Sequence, residues 1–533
     1  MAQNNARHIV HRFDEMKNGR WMWEGLWQDL KDYVRPSTDD FYRYTSKGKS
    51  QVDKIFDGTA LWALGQLSAG LNSFLTSPTE RWFTLGIEGR PSLSAEEMAY
   101  LELVGDSVYA EYQRPEVNFA PSIHETYMDV GAFGTAVIFQ DYDADNRHVM
   151  FNSFPLVECF IGEDDNGVID TLGRLKVMTA LQIRKRFGDK TPSAVADAIR
   201  KDVPNREFQV LHMTFPREDR DVYKYDKLNK AFASVWALVD DAELISEGGF
   251  DAFPYHVPRW TKLSGETYGR SPAMDCLPDI RMVNAMAKTL IKGAQKIVDP
   301  PLQVPSDGFM SPLRTSPGSL LMHEQGSDLI TPLQTNGRVD IGIEFIGYHR
   351  DRIIKSFFVD WLIRGKKKQR QTTTEIADDR DEMLRQMSPM LGRLQVELLG
   401  PMLQRTFDLL VKHNRLPLAP ESLTDQSYEI QYISPAALAQ FGGKAIQIQR
   451  FLQDVAQFAA VKPEVMDRID VDAAVMELAK YRDVSRKVLR DDDQVAQIRE
   501  GRARQQQQQQ QMAQGQQMAS AIKDASVANK NFQ

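Results

Sequence analysis

Tyr268-Gly269-Arg270-Ser271-Pro272 is the stretch from which the fold is read. Ser271 is a preferred helix N-cap residue, with a side-chain oxygen able to accept a backbone N–H of the first turn. Pro272 suits the first helical position, where its missing N–H costs nothing. Downstream, Ile280, Val283, Ala287, Leu290, Ile291, Ala294, Ile297 and Val298 fall on one face of a helix. Arg281, Lys288, Lys292 and Lys296 run down the opposite face. At 1.5 Å per residue this is a rod of roughly 30 Å. Asp299-Pro300-Pro301 ends it, and a module rich in proline, glycine and serine extends from Leu302 to Arg338. A second helix, from about Asp340 to Arg364, then brings the chain back.

The half before this hairpin reads as mixed α and β. An opening helix carries Trp21, Trp23, Trp27, Leu30 and Val34 and ends near Pro36. A loop follows over Ser37–Ser50. The uncharged stretch Gly58–Thr79 contains Gln66, Ser68, Asn72 and Ser73, and its apolar residues Leu61, Leu64, Leu67, Leu71, Phe74 and Leu75 keep helical spacing. It reads as a buried amphipathic helix rather than a membrane span. A strand begins around Trp82-Phe83, a helix covers Ala120–Phe133 and a strand Gly134–Gln140. Cys159-Phe160-Ile161 and Val168-Ile169-Asp170 flank Asn166-Gly167, a hairpin turn that wants positive φ.

The half after the hairpin is helical. Arg364-Gly365-Lys366-Lys367-Lys368-Gln369-Arg370 packs five positive charges into seven residues. Thr372 and Glu375 match a capping box for a helix with apolar positions at Ile376, Met383, Leu384, Met387, Leu391 and Leu394, with kinks expected at Pro389 and Pro401. Further helices follow Ser434-Pro435 and Lys462-Pro463. Gln505–Gln511 opens a low-complexity tail.

Composition sets limits. A chain of 533 residues suggests three to four domains at about 150 residues each. Lysine plus arginine total 65 against 73 acidic residues, a net −8, so a generally basic nucleic-acid coat is excluded. Cys159 and Cys276 form no CxxC pair, which suits a reducing compartment. The segment Met1–Arg12 lacks the apolar core of a signal peptide.

Catalytic motifs fail on chemistry. Gly48-Lys49-Ser50 resembles the end of a phosphate loop, but Arg43 stands where the upstream glycine is required. Gly269-Arg270-Ser271-Pro272-Ala273 echoes a hydrolase elbow, yet Pro272 has no N–H to donate to an oxyanion. Asp141, Asp143 and Asp145 alternate like calcium ligands, but Asn146 and Asn152 replace the needed glycine and glutamate. His8 and His11, and the run Asp491-Asp492-Asp493, have no partner cluster and read as surface. The basic features read by themselves as solvated faces. On one hairpin of an acidic protein they also suit a polyanion, since lysine meets phosphate without reading sequence.

From about Arg20 to Gln511 the chain resembles the portal, or head-to-tail connector, proteins of short-tailed bacteriophages. The resemblance rests on Leu67-Ser68-Ala69-Gly70-Leu71-Asn72-Ser73-Phe74-Leu75-Thr76-Ser77-Pro78, Arg81-Trp82-Phe83, Gly131-Ala132-Phe133-Gly134-Thr135-Ala136, Tyr268-Gly269-Arg270-Ser271-Pro272 and Thr372-Thr373-Thr374-Glu375-Ile376, in that order. Arg486-Lys487-Val488-Leu489-Arg490 before the glutamine-rich tail adds to it.

The resemblance implies an α+β, predominantly helical subunit with wing, stem, clip and crown, assembling into a ring, usually of twelve, around a central channel. It divides the chain into a wing (1–270), first stem region (271–299), clip (300–338), second stem helix (339–364), tunnel loop (365–371), long wing helix (372–412), crown (413–500) and tail (501–533). It implies no catalysis, metal or cofactor; the alternatives to it are a nuclease or terminase-like motor with degenerate motifs, or an internal virion or scaffold protein without a pore. Expected partners are double-stranded DNA without sequence readout, the terminase large subunit, tail adaptor and tail tube proteins, major capsid and scaffolding proteins, and internal core proteins. The expected location is the portal vertex of the capsid, with assembly in the host cytoplasm. Lys366, Lys367, Lys368 and Arg370 fall on the loop nearest DNA, and Arg281, Lys288, Lys292 and Lys296 become candidates to face the channel.

Overall fold

In the computed structural model, the segment around Tyr268–Pro272 is where three earlier pieces of the chain meet. The structure describes all residues except 1, 42–53, 91–93, 222, 225, 299–301, 304–330, 333–338, 361–385, 424–427, 433–447, 458–468, 482–489, 491–493, 503, 506 and 508–533. The chain forms two compact units, the larger from 1–85, 104–418 and 430–436, the smaller from 86–103, 419–429 and 437–533.

The helices and strands of the first half are α1 (Ala2–Tyr33), α2 (Thr59–Leu75), β1 (Phe83–Ile87), α3 (Ala95–Tyr112), α4 (Phe119–Phe133), β2 (Val137–Asp143), β3 (His148–Phe154), β4 (Cys159–Glu163), β5 (Ile169–Thr179), α5 (Ala180–Phe187), α6 (Ser193–Arg200), β6 (Glu207–Pro216), β7 (Phe232–Leu238), β8 (Glu243–Phe250) and β9 (Tyr255–His256). Mixed α and β is thus found where the residue pattern places it. Strands β4 to β8 form an antiparallel meander in chain order, and β2 lies between β3 and β9. The β4–β5 turn uses positive φ at Gly167 alone (76°), and the Asp164 carboxylate accepts the amides of Asn166 and Val168. Asn166 therefore stays out of the left-handed region that a two-residue Asn-Gly turn would demand.

Alternation along the strands builds two cores. Phe208 and Val210 of β6 join Met178, Ile183, Val195 and Leu238 under α5 and α6. Leu211 and Met213 of the same strand, with Ala233 and Val235, meet Ile9, Phe13 and Phe160 under α1. The meander is therefore covered by helices on both faces, as a two-sided apolar strand pattern requires. Arg20 of α1 is buried and donates to the carbonyls of Leu156, Val157 and Cys159, satisfying backbone acceptors at the entry to β4.

Past this half come α7 (Pro272–Asp275), α8 (Leu277–Val298), the short antiparallel pair β10 (Leu302–Gln303) and β11 (Thr331–Pro332), and α9 (Val339–Ser356). The basic run Lys366 to Arg370, the Thr372 capping box and most of the clip and of the glutamine tail lie outside the described residues. The kink expected at Pro401 takes the form of a π-helical segment, Gln395–Leu399, running into the helix Gly400–Lys412. Proline at 401 cannot donate to the carbonyl of Glu397, and Gly400 N–H reaches back to Gln395 instead. In the smaller unit the helix Val471–Tyr481 is described. No helix among the described residues is long and apolar enough to cross a membrane.

Candidate functional site: the two-helix hairpin and its seat

Ser271 caps α7 as its sequence predicts, accepting the Met274 N–H at 3.1 Å, and its hydroxyl also donates to the Ala132 carbonyl at 2.8 Å. Gly269 N–H donates to Thr135 Oγ1 at 2.8 Å. A Cβ on either Gly134 or Gly269 would collide with the other residue's carbonyl oxygen, and Gly134 sits at φ 78°. Tyr268 OH accepts the Ile161 N–H, and its ring meets Trp27 edge-on at 5.0 Å. At Gly131 an added Cβ would come within 2.7 Å of Leu64 on α2. Three strings far apart in the chain thus form one close-packed seat under α7. With both its donor and acceptor engaged and no exposed surface, Ser271 is a structural cap and not a nucleophile.

From this seat α8 rises, with α9 packed beside it. Asp279 in the first turn of α8 accepts from His349 Nδ1 at 2.7 Å and pairs with Arg352 at 3.3 Å. The segment before α2 crosses the same region, where Asn284 Oδ1 accepts the amides of Phe56 (2.9 Å) and Asp57 (3.2 Å). Asp57 in turn accepts from Arg350 at 2.5 Å. Burial works to raise the Asp57 carboxyl, but hydrogen bonds from Thr59 and Arg350 outweigh it and hold it below the usual carboxylate range. The base of the hairpin is an ionic clasp in which the Asp57 and Asp279 carboxylates are buried and the Arg350 and Arg352 side chains are half-exposed.

Its distal half is different. The apolar face predicted for α8 is buried at Ile280, Val283 and Ala287 but exposed at Ile291, Ile297 and Val298. On α9, Ile341, Ile343, Phe345 and Tyr348 are exposed as well.

The four predicted stem cations separate into two pairs. Arg281 is engaged with Asp29 of α1, and the Lys288 ammonium lies 5.3 Å from the centroid of the Phe56 ring. Lys292 and Lys296 are exposed and have no ion-pair partner among the described residues. The return helix is interrupted inside its predicted span at 357–358, with helix again at 359–360. Phe357 is fully buried, and Phe358 takes the left-handed conformation (φ 59°) with its ring 6.0 Å from Trp260, so α9 ends at Ser356.

Of the other sequence candidates, Asp143, Asp145, His8 and His11 lie on the surface or in a turn, Asp141 lies on β2 at 3.7 Å from Arg405, and Gly48-Lys49-Ser50 and Asp491-Asp492-Asp493 lie outside the described residues. Asp143 accepts the amides of Asp145 and Asn146 in the β2–β3 turn, and His11 faces Glu15 on the exposed side of α1. Among the described residues no group of three or more His, Cys, Asp or Glu is placed to hold a metal ion.

Residues 6–489 match the family described as bacteriophage head to tail connecting protein. The chain belongs to that family. Two curated relatives run its full length. A probable portal protein of Bordetella phage BPP-1 is 30% identical over 549 residues, spanning 100% of this chain and 98% of the relative. A portal protein of Salmonella phage epsilon15 is 28% identical over 539 residues, spanning 99% and 96%. As a head-to-tail connector the chain is a virion component of the head-tail junction.

One device of the connector escaped sequence reasoning. Arg259, buried before the Tyr268 segment, is held by Glu397 of the π-helical segment and by Glu163 of the β4–β5 hairpin. It also donates to the carbonyls of Thr267 and Gly167. The only hint in the sequence is Pro401, whose missing N–H permits the π segment that places Glu397.

Proposed function

We propose that this connector is the portal subunit, a ring of copies, twelve by the resemblance, through which duplex DNA enters and leaves the head. The observation that carries the reading is the hairpin of α8 and α9. Its base is fixed by ion pairs to the buried carboxylates of Asp57 and Asp279, while its distal half presents apolar side chains from both helices to solvent. A paired apolar surface of this kind requires cover, and a ring of identical hairpins supplies it by heterologous contact.

In this reading α8 and α9 form the stem, the insert closed by β10 and β11 is the clip, and the basic loop at Lys366, Lys367, Lys368 and Arg370 touches phosphates. Of the stem cations, Lys292 and Lys296 are the ones available to DNA. The role is noncatalytic: ATP hydrolysis belongs to the terminase, which docks during packaging and gives way to tail adaptor and tail tube proteins. Capsid, scaffolding and internal core proteins hold the other faces. A net charge of −8 per subunit disfavours general adhesion, so contacts confined to small basic rings let the duplex slide.

The test is replacement of Lys366, Lys367 and Lys368 by glutamate. Rings should form as before, while packaging or DNA retention fails. Normal filling and retention would remove the loop from the account.

A further inference from the structure

The α5–α6 module, on the sheet face opposite α1, is a second basic segment of the chain besides the one around Arg364–Arg370. Residues 176–206 hold eight basic and three acidic side chains in a protein of net charge −8. Some of this charge is spent internally. Arg200 pairs with Asp197, and the guanidiniums of Arg186 and Arg206 lie over the rings of Trp236 and Phe208. Arg184, Lys185, Lys190 and Lys201 are exposed and have no ion-pair partner among the described residues.

Two aliphatic side chains stand among these cations. Leu181 is 56% exposed and Val203 50%. Their backbones are tied together, since Leu181 N–H donates to the Pro204 carbonyl at 3.1 Å and Ala180 N–H to that of Arg206 at 2.9 Å. Asp202 at φ 57° ends α6 in a Schellman arrangement, with Val203 N–H bonded to the Ala198 carbonyl at 3.0 Å. In that motif the side chain at the position of Val203 ordinarily packs back on the helix. Here it is half in solvent.

We propose that this face docks an acidic protein segment carrying apolar side chains. The excess of unpaired cations sets the sign of the partner's charge. The exposed leucine and valine decide between partner classes, because a duplex backbone offers phosphates to lysine but nothing that buries an aliphatic side chain. The partner is thus an acidic segment of another virion protein. This surface is separate from the hairpin, so the inference stands or falls independently of the ring.

The experiment places a photo-crosslinking residue at Val203 (Val203→p-benzoylphenylalanine) in assembled particles and sequences the adduct. The expected product is a peptide from another virion protein in which Asp and Glu exceed Lys and Arg, with an aliphatic or aromatic residue at the crosslink. Combining Arg184→Glu with Lys185→Glu should lower its yield about tenfold or more while rings still form. Leu181→Ser, which leaves the charge unchanged, should also weaken it. Adducts to DNA, to a basic segment or to a second copy of this chain would overturn the proposal. So would the absence of any adduct in filled particles, or a yield indifferent to the charge reversal.

Discussion

Glu397 grips Arg259 at three points: its Oε1 accepts Arg259 Nη2 at 2.7 Å, and its Oε2 accepts Arg259 Nε at 3.2 Å and the Arg259 backbone N–H at 2.9 Å. The pair joins the π-helical segment to the stretch of chain after β9 that leads into the hairpin's seat. Removing Glu397 leaves Arg259 with Glu163, so the cost lies at or below the about 3–5 kcal/mol of breaking a buried pair. Glu397→Ala should therefore lower the melting temperature by several degrees and loosen the Tyr268–Pro272 segment to proteolysis. Glu397→Gln, which keeps an acceptor, should lose less. Equal stability of Glu397→Ala and the parent chain in a thermal melt would refute this role.

The seat tolerates no added atom at Gly134. An alanine there meets both a carbonyl clash and a left-handed φ, for a combined cost of about 3 kcal/mol. Ser271→Ala removes only a cap and one further hydrogen bond, at about 1–2 kcal/mol. Gly134→Ala should give little soluble product, and Ser271→Ala a folded chain that melts earlier. Solubility and thermal melts of the two variants check the order.

Acid should destabilise the subunit. Burial pushes the imidazoles of His212 and His256 down to about 3, whereas unfolded histidines take up protons near ~6.5. Between those values the unfolded chain binds more protons, so stability falls as pH is lowered. Burial acts oppositely on Asp129, raising its carboxyl to about 6 against the pull of its Arg35 partner. The folded chain then binds the extra proton between about 4 and 6, and this contribution falls as pH rises. Two histidines with the larger displacement outweigh one aspartate. His256→Gln should flatten the acid loss and Asp129→Asn should steepen it, as read by denaturant midpoints from pH 7 to pH 4. An unchanged slope in His256→Gln would contradict the assignment.

Salt dependence of duplex binding separates the stem cations. Each lysine that neutralises a phosphate contributes about one unit to the slope of log K against log salt. Lys292→Ala and Lys296→Ala should each reduce the slope measured for the assembled protein. Arg281→Ala should leave it unchanged, because Arg281 is already engaged with Asp29. A slope reduced by Arg281→Ala and untouched by the lysine variants would reverse the assignment.

The local signals were legible in the sequence, and the long-range ones were not. Ser271 with Pro272 announces a helix start through groups one turn apart, and the α2 periodicity announces its buried face. The cap appears as read, and the α2 face is buried at Leu64, Leu67, Leu71 and Leu75 but open at Leu61. Why Gly134 and Gly269 are glycine is invisible in either string, since the reason is each other's backbone across 134 intervening residues. The same holds for Arg259 and Glu397, and for Phe358, whose left-handed backbone follows from burial of Phe357 and contact with Trp260 rather than from any local breaker. In the sequence the stem stripe is one face of four equal cations. Tertiary contacts with Asp29 and Phe56 leave two of them available.

The central claim is that the exposed apolar half of the α8–α9 hairpin is covered by neighbouring copies in a closed ring. Negative-stain microscopy of the purified protein, with native mass spectrometry to count subunits, tests it most directly when run beside Ile343→Asp and Phe345→Ser. The account predicts closed rings with a central hole wide enough for duplex DNA in the parent chain, and folded monomers in the two variants. Rings that persist with both apolar residues replaced would contradict it, as would a parent protein that stays monomeric while hydrolysing ATP or nicking DNA.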